Sequence, residues 1–360
     1  MFYMIKIILA GGGTGGSVMP LLAVADEIKN KKSETEFLFI GTRKGIPEKE
    51  LVKNKNIPYQ AIFSGKFRRY ISLKNIIDPF LILIGFFQSF FIILKFNPKA
   101  IFSAGGFVSV PLAWAAWLLR KPIFIHQQDI VPGLANKLIA PLAKKITISF
   151  DKSFKNFSRQ KTILTGNPVR KEILQGSKEK AIKQFNLDNN LPVLLIIGGG
   201  TGAQKINEMI VQIVPKLVEF CQIIHLTGKG KEIKDKKLNF ENYHQYEFLN
   251  QGIPDIYQVA DLIISRAGLG VLTELSILKK PMICIPIPDS HQEFNAQYFA
   301  DQEALILINQ KILKPGQLLE KIKQIINSEK KLKDLSNNIG QLAHLRAGEK
   351  IAKIILESIG

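Results

Sequence analysis

The chain repeats one local pattern, in which a short apolar run leads into a glycine-rich turn and then into apolar residues at helical spacing. In the first instance the run Ile5–Leu9 is followed by five glycines within residues 11–16, and Pro20 stands where we expect a helix to open. Such a run is typical of a strand buried in a parallel sheet, and proline suits a first helical position. The combination favours an anion site at a helix N-terminus, with a ligand-free turn as the alternative.

The same pattern returns in the second half of the chain. The apolar run Pro192–Ile197 leads into Gly198–Ala203, and apolar residues then recur at helical spacing from Ile206 to Leu217. The pentad Gly-Gly-Gly-Thr-Gly thus occurs in both halves, each time between a strand and a helix. Two such units predict an α/β protein with two doubly wound domains, for which 360 residues are sufficient.

Further strands of this kind place polar residues where a parallel sheet ends. Ala100–Phe102 leads into the glycine turn Ser103–Pro111, and Ala260–Ser265 leads into another glycine turn. The predicted strand Pro122–Ile125 runs directly into a polar segment, residues 126–129. Because open α/β sheets bind ligands at the carboxyl ends of their strands, we expect these residues to lie near a substrate.

The segment Thr165–Arg170 contains glycine, asparagine and proline, and we interpret it as the hinge between the domains. The expected division is an N-terminal domain over residues 1–165 and a C-terminal domain over residues 166–345. A last helix over residues 346–360 is expected to pack back on the N-terminal domain.

The run Phe80–Leu94 is the most apolar stretch of the chain and follows a basic, aromatic segment at residues 64–74. It is shorter than the ~20 residues that a membrane-spanning helix needs. One interpretation is a core helix; the other is a helix with one face on the core and one face in a bilayer surface. We favour the second, because a single core does not cover a helix that is apolar all round. Its basic and aromatic neighbours would contact anionic headgroups; they are Lys66, Phe67, Arg68, Arg69, Tyr70 and Lys74.

The amino-acid composition indicates which class of binding partner to expect. The chain has 49 Lys and Arg against 30 Asp and Glu, a net charge of +19, which indicates a polyanionic partner such as an anionic membrane or a phosphorylated substrate. No nucleic-acid-binding motif accompanies this charge, so nucleic acid is not an expected partner. Cys221 and Cys284 each lie in an apolar run, and no cleavable signal pattern opens the chain. We therefore expect buried thiols and a cytosolic protein.

Taken together, the motifs resemble those of the MurG family of bacterial glycosyltransferases. The resemblance is ordered and spans nearly the whole chain. The motifs that carry it are Gly12–Gly16, Gly105–Ser109, Gly166–Arg170, Gly198–Ala203, Ser265–Gly268 with Glu274, and His291–Gln292 with Asn295.

The resemblance implies two Rossmann-like domains facing a cleft, the GT-B fold, and an inverting transfer of N-acetylglucosamine from UDP-N-acetylglucosamine. The acceptor would be the 4-hydroxyl of undecaprenyl-pyrophosphoryl-MurNAc-pentapeptide, a precursor of the cell wall, at the cytoplasmic face of the membrane. The implied substrate-binding residues are Thr14, Gly15, Gly16, Ser17, Asp129, Arg170, Gly200, Leu249, Leu269, Gly270, Val271, Leu272, Thr273, Glu274, His291 and Gln292.

The resemblance also suggests roles for these residues. Glu274 would bind the ribose hydroxyls, the turn Leu269–Thr273 the diphosphate, and the Leu249 backbone the uracil. Arg170 and Gly200 would flank the nucleotide, and Gln292 would reach the sugar hydroxyls. The first glycine loop would face the donor and the pyrophosphate of the acceptor.

The chain departs from the family where a catalytic base is expected. Ser17 stands where the family usually has histidine, and serine does not accept a proton at neutral pH. Residues 126–129 read His-Gln-Gln-Asp in place of His-Glu-Gln-Asn, and Gly200 replaces a serine. We therefore expect His126 or Asp129 to be the catalytic base, unless diphosphate stabilisation supplies most of the rate.

Other functions remain open at this stage. A related transferase could glycosylate another lipid, such as diacylglycerol, and the loss of histidine at Ser17 is also compatible with a UDP-sugar-binding membrane scaffold. No Asp-x-Asp motif occurs, so no tightly bound cofactor or metal is expected.

Overall fold

The chain forms two compact units that are built from different parts of the sequence. The computed structural model describes residues 4–13, 15–45, 48–65, 74–199, 202–249 and 251–359, without the side chains of residues 74–77 and 236. The first unit comprises Met1–Arg170 with His344–Gly360, and the second comprises Lys171–Ala343. The division therefore falls after the segment that was interpreted as a hinge, not before it.

The first unit contains a seven-stranded sheet in the order β3-β2-β1-β4-β5-β6-β7, and every pairing in it is parallel. Its strands are β1 Ile5–Ala10, β2 Thr35–Thr42, β3 Tyr59–Ile62, β4 Ala100–Ser103, β5 Ile123–Gln127, β6 Lys145–Ile148 and β7 Thr162–Leu164. Its helices are α1 Gly15–Lys31, α2 Glu48–Lys53, α3 Lys74–Phe96, α4 Ser109–Leu118, α5 Leu134–Ile139 and, from the chain end, α13 Ala347–Ile359.

The second unit repeats this architecture with six parallel strands in the order β10-β9-β8-β11-β12-β13. Its strands are β8 Val193–Ile197, β9 Gln222–Leu226, β10 Tyr243–Tyr246, β11 Leu262–Ser265, β12 Met282–Cys284 and β13 Ile306–Leu307. Its helices are α6 Lys178–Phe185, α7 Gln204–Leu217, α8 Ile253–Val259, α9 Leu269–Ile277, α10 His291–Ala300, α11 Pro315–Ile326 and α12 Glu329–Gln341.

Strand burial explains why the apolar runs predicted this fold. Successive side chains of β1 alternate between two cores: Ile8 and Ala10 pack with α3, α4 and α5, whereas Ile7 and Leu9 pack with α1, α2 and α13. A strand covered on both faces needs apolar residues at every position, and this produces a continuous run. The predicted class, α/β with two doubly wound parallel sheets, is confirmed.

The last helix belongs to the core of the first unit. Ile351, Ala352 and Ile355 of α13 are fully buried with the apolar face of α1, and Lys31 forms a salt bridge of 3.6 Å to Glu349. The chain thus returns to its first unit after completing the second.

Several boundaries differ from the predictions. α1 begins at Gly15, so Pro20 lies inside the helix and leaves the Gly16 carbonyl without its usual N–H partner. α3 begins at Lys74 and includes Pro79. The short elements β7, α8 and β13 were not predicted, because two to seven residues carry too little periodicity.

Candidate functional site

In each unit, the loops with the predicted chemistry follow neighbouring strands at the point where the strand order reverses. This point lies between β1 and β4 in the first sheet and between β8 and β11 in the second. The loops after these strands leave the same edge of their sheet, because all the strands are parallel. Open α/β sheets bind ligands at such an edge.

In the first unit, two glycine turns are in direct contact. A Cβ atom at Gly106 would lie 2.8 Å from the carbonyl oxygen of Gly12 and 3.0 Å from its nitrogen. Gly105 and Gly106 both have positive φ angles, of 91° and 89°, which L side chains rarely adopt. Glycine is therefore required at this contact, which joins the loops after β1 and β4.

The first glycine loop delivers its last residues to the N-terminus of α1. Gly15 and Ser17 are half-buried and Gly16 is exposed in the first turn of the helix, where backbone N–H groups lack intrahelical partners. The structure thus places three of the four predicted residues of this loop where an anion can bind. Thr14, the fourth, lies outside the described residues.

His126 is not placed as a base. Its side chain is fully buried in β5, with Nδ1 2.9 Å from the Thr147 hydroxyl and Nε2 3.1 Å from Oδ1 of Asn167. A neutral ring fits both contacts, since Nε2–H donates to the Asn167 amide oxygen and Nδ1 faces the Thr147 hydroxyl, which also lies 3.2 Å from the Ile125 carbonyl oxygen. Burial lowers the pKa of His126 to about 4, although hydrogen bonding to Asn167 and to the Thr147 backbone opposes the shift. No nitrogen is left to accept a substrate proton, so we no longer retain His126 as a candidate base.

Asp129 lies two residues beyond the end of β5 and is half-buried. Gln127 fixes this turn, because its Nε2 donates to the Asp129 carbonyl oxygen at 2.6 Å. Asn136 in turn donates to Oε1 of Gln127 at 2.7 Å. Of the two candidate bases, Asp129 is therefore the one at an accessible position at the ligand edge.

Asn136 is a buried residue of this site that the sequence analysis missed. Its Oδ1 accepts no hydrogen bond from the part of the chain that the structure describes, and it lies 3.2 Å from the position of a Cβ on Gly105. The signal was an amide side chain that, with Lys137, interrupts the mainly apolar stretch Leu134–Ile139.

The segment Gly166–Arg170 is fixed to the first sheet. Gly166 donates to the Ile148 carbonyl at 3.2 Å. Its φ of 80° is rare for L side chains, and a Cβ at this position would overlap the His344 side chain. Asn167 is held by His126, as described above, and Arg170 is half-buried at the end of the segment. His126 is thus a cross-link that positions the residues leading to Arg170.

In the second unit, the glycine loop after β8 is followed by a buried polar network. His225 Nε2 lies 3.0 Å from Oδ1 of Asn207, and its Nδ1 lies 2.9 Å from the Tyr243 hydroxyl. Asn207 also donates to the Thr227 carbonyl at 2.9 Å. This network holds the first turn of α7 against the sheet. Gly200, the predicted nucleotide contact in this loop, lies outside the described residues.

α9 carries the predicted diphosphate and ribose contacts. It begins at Leu269, so Gly270 and Val271 are half-buried in its first turn, whereas Leu272 and Thr273 are buried. Glu274 is half-buried and is the sixth residue of the helix. It therefore lies beyond the first turn, within which the helix dipole acts, and the dipole does not account for a carboxylate here.

The turn before α9 is braced by residues from the next loop. Arg266 donates from Nη1 to the carbonyl oxygens of Ile285 at 2.9 Å and Pro286 at 3.1 Å, and Asn295 Nδ2 lies 3.4 Å from the Ala267 carbonyl. Partial burial lowers the pKa of Arg266 from its ordinary value. These bonds fix the loops after β11 and β12 relative to each other.

The remaining predicted donor residues lie at the surface of the second unit. His291 is exposed and Gln292 half-buried at the start of α10, and Oε1 of Gln292 accepts from the Ile287 amide at 3.1 Å. Leu249 is half-buried in the loop after β10. Among the described residues, no group of three or more His, Cys, Asp or Glu side chains is arranged to hold a metal ion.

We predict that the free energy of unfolding falls as the pH drops from 6.5 towards 4, and that His126→Gln removes part of this fall. Because burial holds the pKa of His126 at about 4 in the folded state against 6.5 ordinarily, its contribution is complete above pH 6.5 and is lost on acidification. The full loss amounts to about 3 kcal/mol for one group. Urea unfolding at several pH values measures it.

The comparison at pH 8 is the control, since the imidazole is neutral there in both states and only the lost hydrogen bonds separate the two proteins. Burial also lowers the pKa of His225, to about 3, so some slope must remain in the variant. Identical slopes in parent and variant between pH 6.5 and 4 would show that His126 titrates normally.

Two family models match the chain. The glycosyltransferase family 28 N-terminal domain matches residues 7–148, and the glycosyltransferase family 28 C-terminal domain matches residues 193–353. The two matches cover most of both sheets and the glycine loops after β1, β4, β8 and β11.

Individual relatives agree with this assignment. A UDP-N-acetylglucosamine--N-acetylmuramyl-(pentapeptide) pyrophosphoryl-undecaprenol N-acetylglucosamine transferase of Clostridium botulinum is 39% identical over 361 residues, covering 99% of each chain. A transferase of the same name, numbered 2, from Bacillus thuringiensis subsp. konkukian is 39% identical over 332 residues, covering 91% of this chain and 93% of that protein. The crystal structure of Acinetobacter baumannii MurG superposes with a TM-score of 0.76 at 25% identity, covering 98% of this chain and 99% of that one. The chain therefore belongs to glycosyltransferase family 28 and, within it, to the MurG family.

Proposed function

We propose that this protein transfers N-acetylglucosamine from UDP-N-acetylglucosamine to the 4-hydroxyl of undecaprenyl-pyrophosphoryl-MurNAc-pentapeptide. The observation that carries the proposal is the pair of glycine turns after β1 and β11, each at a switch point of its own parallel sheet and each leading into a helix, α1 and α9. A donor and an acceptor that both contain a diphosphate need two such loops. The names of the relatives supply the two substrates.

The donor belongs to the second unit in this proposal. The first-turn amides of α9, which begins at Leu269, bind the diphosphate, since helix N-termini favour anions. Glu274, one turn later, accepts hydrogen bonds from the ribose hydroxyls. Gln292 contacts the sugar with its amide, Leu249 contacts the uracil through its backbone, and Arg170 flanks the nucleotide.

The acceptor belongs to the first unit. The amides at the start of α1, from Gly15 to Ser17, bind its pyrophosphate, and Asp129 reaches the 4-hydroxyl. The hydroxyl oxygen attacks the anomeric carbon of the donor sugar while the bond from that carbon to the UDP oxygen breaks. The hydroxyl proton passes to Asp129, and UDP leaves with the bonding electrons. A single displacement of this kind inverts the anomeric carbon.

We further propose that α3 attaches the protein to the cytoplasmic face of the membrane. By length and composition alone, one helix among the described residues, Asp78–Phe96, could cross a bilayer, and only 17% of the apolar 18-residue stretch within it is buried. Its large apolar side chains form an exposed stripe at helical spacing, which comprises Phe80, Leu83, Ile84, Phe87, Phe91 and Leu94.

The two polar residues in the middle of α3, Gln88 and Ser89, form hydrogen bonds within the protein. Ser89 is buried and donates to the Gly85 carbonyl, and Gln88 accepts from the Phe63 amide at 2.8 Å. Gly85 lets the helix pass close to the Phe63 carbonyl oxygen, which a Cβ at this position would overlap. A helix with polar residues inside and apolar residues outside favours a lipid surface over water.

The neighbouring helix α4 extends this apolar surface. Trp114, Trp117 and Leu118 of α4 are exposed, and α4 packs against α3. Tryptophan is favoured where hydrocarbon meets headgroups. The basic and aromatic residues at 66–70, which we also predicted to contact the membrane, lie outside the described residues, as does the side chain of Lys74.

We predict that membranes or vesicles containing the lipid-linked acceptor gain label from radiolabelled UDP-N-acetylglucosamine when the protein is added. Asp129→Asn should lower kcat by roughly 10²–10⁴-fold, the usual contribution of a general base. Label transfer under saturating donor measures both effects.

Calorimetry of UDP binding to Asp129→Asn is the control, and its affinity should match that of the parent. Near-parental kcat in this variant would exclude Asp129 as the base. Transfer to diacylglycerol in preference to the pyrophosphoryl acceptor, or UDP binding without any transfer, would overturn the proposed reaction.

We predict that Glu274→Ala weakens UDP binding by roughly 30- to 100-fold. A carboxylate that accepts from two ribose hydroxyls contributes on the order of 2–3 kcal/mol. Isothermal titration calorimetry measures the affinity, with Glu208→Ala, an exposed carboxylate on α7, as the matched control. Equal affinity in Glu274→Ala and the control would remove Glu274 from the donor site.

We predict that Phe87→Ser combined with Phe91→Ser lowers vesicle binding by about 100-fold, because burying one large apolar side chain contributes about 1.5–3 kcal/mol. Flotation with phosphatidylethanolamine and phosphatidylglycerol vesicles measures it. Ile312→Ser, at an exposed apolar residue of the second unit, is the control and should float like the parent. Equal flotation of all three proteins would contradict the assignment of α3.

A further inference from the structure

Glu48, the first residue of α2, is a fully buried carboxylate next to the first glycine loop. Its Oε2 accepts from the backbone N–H of Gly13 at 2.7 Å. Its Oε1 accepts from the Thr42 amide at 2.8 Å, from the Thr42 hydroxyl, and from the Tyr59 hydroxyl at 3.1 Å. No Lys or Arg forms an ion pair with it within the described ranges.

A buried charge is retained only where hydrogen bonds replace its hydration. Here four donors do so, and they divide between the two oxygens. Oε1 accepts from the corner between β2 and β3, where the Tyr59 hydroxyl shares its one hydrogen between Oε1 and the Thr42 carbonyl oxygen, which lies 2.6 Å away. Oε2 accepts a hydrogen bond from the glycine loop alone. The pKa of Tyr59 is raised by burial and, secondarily, by the Glu48 charge, so the phenol stays a donor.

The contact fixes the course of the loop. Gly13 has a φ of 92°, and a Cβ at Gly12 would lie 2.8 Å from Thr42 Cγ2 and 3.1 Å from Oε2 of Glu48. On its other side Gly12 meets Gly106, as described above. The loop is thus held between the carboxylate and the second glycine turn before it enters α1 at Gly15.

We propose that Glu48 is a positioning residue for the acceptor, and this inference rests on the proposed function. By occupying the Gly13 amide, Oε2 sets the conformation in which the following amides, at the start of α1, face the acceptor diphosphate. The donor site in the second unit contains no part of this arrangement. Glu48 therefore acts on acceptor binding and not on donor binding.

Glu48→Gln tests this with little change of shape. The glutamine amide has one acceptor oxygen, which takes the Oε1 position and accepts from the three donors there. Its NH₂ group then faces the Gly13 amide. The loop contact is then lost while the corner at Thr42 is kept. Tyr59→Phe is the matched control, because it removes one donor at the corner and leaves the Gly13 contact intact.

We expect Glu48→Gln to lower kcat/KM for the lipid-linked acceptor by about tenfold or more, as for one lost charged hydrogen bond, with the KM for UDP-N-acetylglucosamine unchanged. Tyr59→Phe should keep acceptor kcat/KM within about twofold of the parent. This should hold even if Tyr59→Phe lowers the unfolding midpoint as much as Glu48→Gln does. Equal losses in both variants would show that the carboxylate serves only stability, and parental kinetics in Glu48→Gln would also overturn the proposal.

Hydrogen exchange of the Gly13 amide tests the positioning without any turnover. It should be slow in the parent and in Tyr59→Phe, and faster by about tenfold or more in Glu48→Gln. If the parent transfers no label to the acceptor, the proposed function fails, and the exchange rates still decide the role of Glu48. Unchanged exchange in Glu48→Gln would refute it.

Discussion

The contact between Gly12 and Gly106 is the constraint on which the first unit depends. Two backbone segments approach closely there because Gly106 has no side chain, and Thr42 and Glu48 occupy the space that a side chain on Gly12 would need. The loops after β1 and β4 consequently share one position at the sheet edge. Backbone amides held in this way need little reorganisation when an anion arrives, which is the property that a diphosphate site requires.

Buried imidazoles hold the supporting segments in both units. His126 joins β5 to Asn167 in the first unit, and His225 joins β9 to Asn207 in the second. In each case burial favours the neutral ring, whose N–H donates to an amide oxygen. A histidine at a strand end suggested catalysis in the sequence, but the same residue type also makes a specific cross-link between a sheet and the segment beside it.

The sequence predicted the two sheets well because strands covered on both faces must be apolar throughout, and such runs are visible without any partner. It predicted helix starts poorly at Gly15 and Lys74, since glycine and an internal proline obscure the first turn. Glu48 could not be recognised at all. Its partner Gly13 lies 35 residues away, and in the sequence it is an ordinary acidic residue at the start of a helix.

The long apolar helix shows what the pattern alone leaves undecided. Apolar residues all round α3 are compatible with a core or with a bilayer surface, and only the packing separates these alternatives. The structure turns Gly85 and Ser89 inward and Phe87 and Phe91 outward. Because α3 is followed by β4 and its glycine turn, the apolar surface and the proposed pyrophosphate loops belong to one unit. The division of the chain thus matches the division of the proposed substrates, with the lipid-linked acceptor on the first unit and the water-soluble donor on the second.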